Sequence, residues 1–152
     1  MKLIRRITGS SAPSAVVLVR LAVGLIFLSE GIQKFLFPGE IGAGRFAKIG
    51  LPSPELLGPL VGIFEIACGL LVVLGLMTRL AVIPLIVIML VAIFSTKVPI
   101  LLDKGFWSMA HDSRTDFSML LGSMFLLVVG AGRLSLDSYL AKRHPRHDSW
   151  NR

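Results

Sequence analysis

Four runs of apolar residues, parted by short stretches of glycine, proline and charge, set the plan of this chain. The first covers residues 15–37 and stops at Phe37-Pro38-Gly39, where proline bars helix continuation and glycine permits the turn. The others cover residues 56–77, 80–95 and 116–131. Runs this long and this apolar predict membrane-spanning helices. A Gly/Pro-punctuated loop over 39–55 precedes the second span, and Leu51-Pro52 and Ser53-Pro54 favour turn backbone there. Thr78-Arg79 is a tight turn into the third, which Pro84 is expected to kink. After Thr96-Lys97-Val98-Pro99 an amphipathic connector is expected over 100–115, with Phe106 and Trp107 placed for an interfacial belt. The expected fold is therefore all-α, an integral membrane four-helix bundle. A basic and polar arm (1–14) is expected to precede its membrane domain (15–133), and a basic tail (134–152) to follow, with disorder expected from His144 onward.

Two stripes inside the spans predict how they pack. Gly58, Gly62, Glu65 and Gly69 recur at spacings of four, three and four, which is one helical face that lets a neighbouring backbone come close. Arg20, Gly24, Phe27, Gly31 and Lys34 form a related face on the first span, and the two are expected to meet. Ser118 and Gly122 give the fourth span a small-residue face of its own.

Composition narrows the class. With 54% hydrophobic residues and a mean hydropathy of +0.78 over 152 residues, the chain holds more apolar surface than a small soluble core could bury. Its net charge of +7 gathers largely at the termini beside apolar runs, without a basic stripe interleaved with aromatics. The lipid bilayer is the expected anionic partner, and nucleic acid is not. One cysteine, Cys68, excludes an intrachain disulfide or a CxxC pair. The opening Met1-Lys2-Leu3-Ile4-Arg5-Arg6 resembles a signal n-region, but Arg20 and Glu30 interrupt the run behind it and no Ala-x-Ala-like site follows, so a retained anchor is expected. Lysine and arginine placement puts both termini and the Thr78-Arg79 turn on the cytoplasmic side of a cell inner membrane.

The chemistry lies in the ionisable residues of the spans. Such a group costs at least about 2.5 kcal/mol at a helix centre and faces protein or a wet cavity. Glu30 and Lys34, four apart, can pair on one helix face; Glu65 sits mid-span. Glu30, Lys34, Glu65, Lys97 and Asp116 are expected to converge on one mouth of the bundle, with His111, Asp112 and Arg114 above it. Glu65 and Glu30 are the expected proton-exchanging pair. Lys34, Lys97, Asp116, His111 and Arg114 are the expected ligand-binding groups, suited to an electronegative ligand such as a quinone carbonyl. The competing reading makes these groups packing glue, with Lys97, Arg20 and Arg79 snorkelling to the headgroups. One histidine with two acids is too sparse a set for a metal, and none is expected.

The assembled motifs resemble the DoxX family of small four-helix membrane proteins over residues 20–137. The resemblance rests on Arg20-x-x-x-Gly24-x-x-Phe27, Gly31-Ile32-Gln33-Lys34-Phe35, Gly50-Leu51-Pro52, Glu65-Ile66-Ala67-Cys68-Gly69-Leu70-Leu71, Leu74-Gly75-Leu76-Met77-Thr78-Arg79 and Gly130-Ala131-Gly132-Arg133-Leu134-Ser135-Leu136-Asp137. Many members carry a histidine where this chain has Glu30, so a ligand or metal role attached to that histidine does not carry over. The family includes a subunit of a membrane thiosulfate:quinone oxidoreductase. The resemblance thus implies an accessory or quinone-handling subunit of a membrane redox assembly, with quinone as the implied cofactor. Its implied partners are a redox protein and further copies of the chain. The alternative is a non-enzymatic carrier, binding module or assembly factor for a small amphipathic molecule.

Overall fold

The computed structural model describes residues 13–143, all helix and connection without a strand among them. The expected arm over 1–14, save Pro13 and Ser14, and the end of the tail from His144 lie outside the described residues. The helices are α1 (Val16–Leu36), α2 (Ala43–Lys48), α3 (Pro54–Leu74), α4 (Thr78–Lys104), α5 (Phe106–Asp112), α6 (Arg114–Val129) and α7 (Leu136–Arg143). Helices α1 and α3, and α4 with its continuation through α5, are long and apolar enough to cross a membrane. Helix α6, with 16 residues, spans roughly 24 Å and completes the bundle beside α4. Many large apolar side chains face outward at membrane depth, among them Leu18, Ile63, Val87 and Val128, as lipid-bathed helices require.

Local chemistry sets the helix ends. Helix α3 starts with Pro54 at its first position, behind Ser53 in the left-handed region (φ 45°), and ends on left-handed Gly75 (φ 69°) with the Leu76 N–H donating to the Leu71 carbonyl. Helix α4 departs from expectation: it runs 27 residues through both Pro84 and Pro99 rather than stopping near Ser95. The Ser95 and Thr96 hydroxyls donate back to the Val91 and Ala92 carbonyls at 2.7 and 2.6 Å in the turn that precedes Pro99. The connector is accordingly shorter than expected, a turn at Gly105 followed by the seven-residue α5.

The two expected stripes do meet. Helices α1 and α3 pack antiparallel along their glycines. A Cβ on Gly24 would lie 2.9 Å from the Gly69 carbonyl oxygen, and one on Gly31 would lie 2.8 Å from that of Gly62. Helix α4 pairs antiparallel with α6, tied by Lys97 to Asp116 at one end and by Arg79, donating to the Val128 carbonyl at 3.0 Å, at the other. The packed face of α6 differs by one position from expectation. Ser118 is exposed and bonds the Arg114 carbonyl, whereas Gly122, against Val23 of α1, and fully buried Ser123 sit inside.

The end of the bundle near the termini is closed by Arg20. Expected to snorkel, it is instead 3% exposed and donates to the Ala131, Leu134 and Val73 carbonyls at 2.7, 2.7 and 3.1 Å. Those carbonyls end α3 or lie just beyond α6, where helices leave acceptors unpaired, so the guanidinium fork is held inside rather than released to water. Asp137, at the start of α7, accepts the Met77 N–H at 3.1 Å and so caps the otherwise uncapped start of α4. Burial outweighs the hydrogen bonds from the Met77 and Thr78 backbone and the nearby Arg20 charge, pushing the Asp137 carboxyl above its ordinary range.

Candidate functional site

At the opposite end the bundle is hollow. A cavity of about 590 Å³ lies among α1, α3, α4 and α6, roofed by the loop that carries α2. Its walls are chiefly apolar, from Phe27, Ile88, Met89 and Met119 inside to Ile41, Phe46 and Ile49 in the roof. Glycines seat that roof: a Cβ on Gly58 would lie 2.7 Å from the Ala43 nitrogen, so α2 lies directly on α3.

Two ionic groups interrupt the apolar wall, one on each helix pair. On the glycine-seamed pair, Lys34 of α1 reaches Glu65 of α3 with Nζ 2.6 Å from Oε2, the side chains 8% and 5% exposed. At this distance the two groups form a buried, charge-assisted pair. The glycine contact is what allows the pair: in this antiparallel register Lys34 and Glu65 flank the Gly31–Gly62 contact from opposite sides, and each side chain leans back toward its own helix N-terminus, so the two converge over it. On the other pair, Lys97 of α4 lies 2.7 Å from Asp112 and 2.9 Å from Asp116. Asp112 is 53% exposed and Lys97 only 9%, so this group links the cavity to the outer surface.

Glu30, Lys34, Glu65, Lys97 and Asp116 all line this cavity, the convergence expected from the spans. Three expectations are corrected. Lys34 pairs across the helix seam with Glu65 and not along its own helix with Glu30, because Glu30 turns to the exposed flank of α1 while the seam excludes water from Lys34. Lys97 does not snorkel, since the end of α5 and the start of α6 each deliver a carboxylate to it. His111 and Arg114 do not reach the cavity. Pointing Asp112 at Lys97 rotates both to the exposed side, where the Arg114 guanidinium approaches His111 Nδ1 at 3.4 Å. Arg45, in the roof beside the cavity, was not singled out from the sequence, because a short helix inside a Gly/Pro-rich loop leaves no periodic signal. No group of three histidine, cysteine or acidic residues among the described residues is placed to hold a metal ion.

Comparison with known proteins follows the same residues. The family model for DoxX matches residues 15–98, which include α1, the cavity roof, α3 and α4 as far as Lys97. The chain belongs to the DoxX family. This DoxX protein is 51% identical over 154 aligned positions to the uncharacterized membrane protein Rv3486 of Mycobacterium tuberculosis, covering 90% of this chain and 94% of that one. It is 29% identical to the inner membrane protein YphA of Escherichia coli, over 85% of this chain and 92% of that one. It is also 32% identical to CatD of Bacillus subtilis, whose name carries a provisional assignment as an oxidoreductase, over 82% and 86% of the two chains. No solved structure matches this DoxX protein significantly.

Proposed function

We propose that this DoxX protein is an accessory, quinone-handling subunit of a redox assembly in the cell inner membrane, holding a quinone ring in the cavity beside Lys34 and Glu65. The observation that supports this reading is that Lys34, Glu65, Lys97 and Asp116, from four helices, share one chiefly apolar cavity of about 590 Å³. That is within the roughly 300–1,000 Å³ of small-molecule sites. A bound quinone supplies two-electron, two-proton redox chemistry, and the electrons come from a partner oxidoreductase. The chain's own residues bind, orient and exchange protons. Lys34 has three N–H donors and meets only Glu65 among the described residues, so donors remain for a carbonyl oxygen. Lys97 has both carboxylates and the Asp112 carbonyl around it, so its donors are taken, its charge is balanced, and it serves to hold that wall of the cavity in place. Glu65 holds or yields a proton at Oε2, and Glu30 at the flank exchanges with it. The oxidoreductase assignment in the name of CatD and the inner-membrane name of YphA favour the same reading. With both termini cytoplasmic, the cavity opens toward the outer side. Labelling of Ser10→Cys or Asp148→Cys in a Cys68→Ser background only from outside would overturn that orientation.

Protein purified in mild detergent from its own membranes tests the ligand by solvent extraction and chromatography. The wild type is expected to carry quinone, and the Lys34→Met/Glu65→Gln double variant to fold and carry none. A different lipid or metabolite, with no redox-active species, would replace this reading with the carrier alternative.

A further inference from the structure

Resting on the quinone reading, one feature of the cavity specifies how its ligand is built. The cavity is open sideways at membrane depth. Val87 and Val91 of α4 line it and yet are 53% and 47% exposed. They lie nine and thirteen residues beyond the start of α4 at Thr78, roughly 14 and 20 Å along the helix, where the surroundings are acyl chains rather than water. Across from them, Leu57 and Val61 of α3 also line the cavity, only partly buried, and stand at spacings of four that lead straight to Glu65. Helices α3 and α4 are consecutive, joined by the short turn at Gly75–Met77, and these four lining side chains come from the two of them at the cavity end.

The opposite flank is different in chemistry. Between α1 and α6 the cavity is bordered by Ile26, Glu30, Thr115 and Asp116, and a hydrocarbon chain there would strip water from two carboxylates. The four side chains bordering the α3–α4 gap, Leu57, Val61, Val87 and Val91, carry no charge, and Glu65 behind them is already paired with Lys34.

We infer that the α3–α4 gap is a lateral portal through which the ligand's hydrocarbon tail passes into the bilayer, its polar ring inside against Lys34 and Glu65. The ligand class is thus an amphiphile with a compact electronegative head and an alkyl or isoprenoid tail, arriving from the membrane and not from water. Val61 and Val91 are positioning residues for the tail and do not touch the ring.

Two measurements in lipid nanodiscs test this. First, equilibrium binding of decylubiquinone and of tail-free duroquinone is compared in wild type and Val91→Trp. Each methylene removed from an apolar seat weakens affinity about fourfold, so blocking two or more is expected to weaken decylubiquinone at least about tenfold and leave duroquinone within about twofold. Equal loss for both ligands, or for neither, overturns the portal. Second, a Val61→Trp reporter in a Trp107→Phe/Trp150→Phe background is placed in brominated lipid, where acyl chains in the gap are expected to quench it. An unquenched reporter overturns the portal whatever the ligand. If wild type binds neither quinone while the reporter is quenched, the quinone reading falls and the lateral opening stands.

Discussion

Gly31→Ala is the most discriminating test of the glycine seam. The added Cβ would lie 2.8 Å from the Gly62 carbonyl oxygen and 2.9 Å from the Ile66 nitrogen, both backbone atoms that cannot swing aside. Relief requires α1 and α3 to separate locally by about 0.5–1 Å, a gap that forfeits a quarter to a half of each dispersion contact along the seam. Overpacking of this kind costs about 1–3 kcal/mol, here at the upper end because both neighbours are backbone. Alanine returns about 1 kcal/mol of helix propensity. The net expected loss is about 2 kcal/mol. Gly62→Ala is the internal control: its nearest neighbour is the edge of the Phe35 ring at 2.8 Å, and Phe35 is an exposed side chain free to move. There the two effects nearly cancel. Thermal unfolding in one detergent, with lipid-facing Leu74→Ala as a baseline, reads all three. A Gly31→Ala protein as stable as the Gly62→Ala and Leu74→Ala proteins would refute the account of the seam.

Other outcomes follow from the ion pair and the closed end. Glu65→Gln leaves Lys34 buried without its countercharge and is expected to cost about 3–5 kcal/mol, whereas Lys34→Met/Glu65→Gln recovers most of it; a destabilised double variant would show that the pair itself holds the fold. Arg20→Met strips three carbonyls of their donor and is expected to lower thermal stability by about 3 kcal/mol or more at about 1–3 kcal/mol per orphaned group, with Arg20→Lys restoring only part; unchanged melting would refute the closure. Because the folded-state value of Asp137 is raised, its protonation favours the fold. That contribution is complete below the ordinary aspartate value and is lost as pH rises through the raised one. Wild type is therefore expected to gain stability relative to Asp137→Asn on acidification across that window, and parallel melting curves would contradict it.

Much of this architecture was legible because the bilayer reduces the alternatives. Apolar length marked the helices, and small residues at helical spacing marked the faces that touch. The same logic brought Glu65 and Lys34 to one cavity, since buried charge must face protein. What the pattern could not supply was partner choice. Glu30 and Glu65 are equally available to Lys34 on paper, and only the depth of the glycine seam decides for Glu65. Lys97 read as a snorkelling side chain because the helix was expected to end near Ser95, and once the helix continues the fold-back of α5 places Asp112 beside it. Arg20 read as an interfacial charge because its acceptors are backbone carbonyls, which every residue has and no motif advertises.

The Lys34–Glu65 pair also fixes how the site responds to an energised membrane. Moving one elementary charge through the full bilayer is worth about 2.3 kcal/mol per 100 mV. The two opposite charges of this pair are only 2.6 Å apart, less than a tenth of a hydrocarbon core of about 30 Å. Even aligned with the field, the pair therefore feels no more than about 0.2 kcal/mol per 100 mV. Occupancy by an uncharged ligand beside it is expected to be the same in polarised and depolarised vesicles, which makes this a voltage-blind site inside a voltage-bearing membrane.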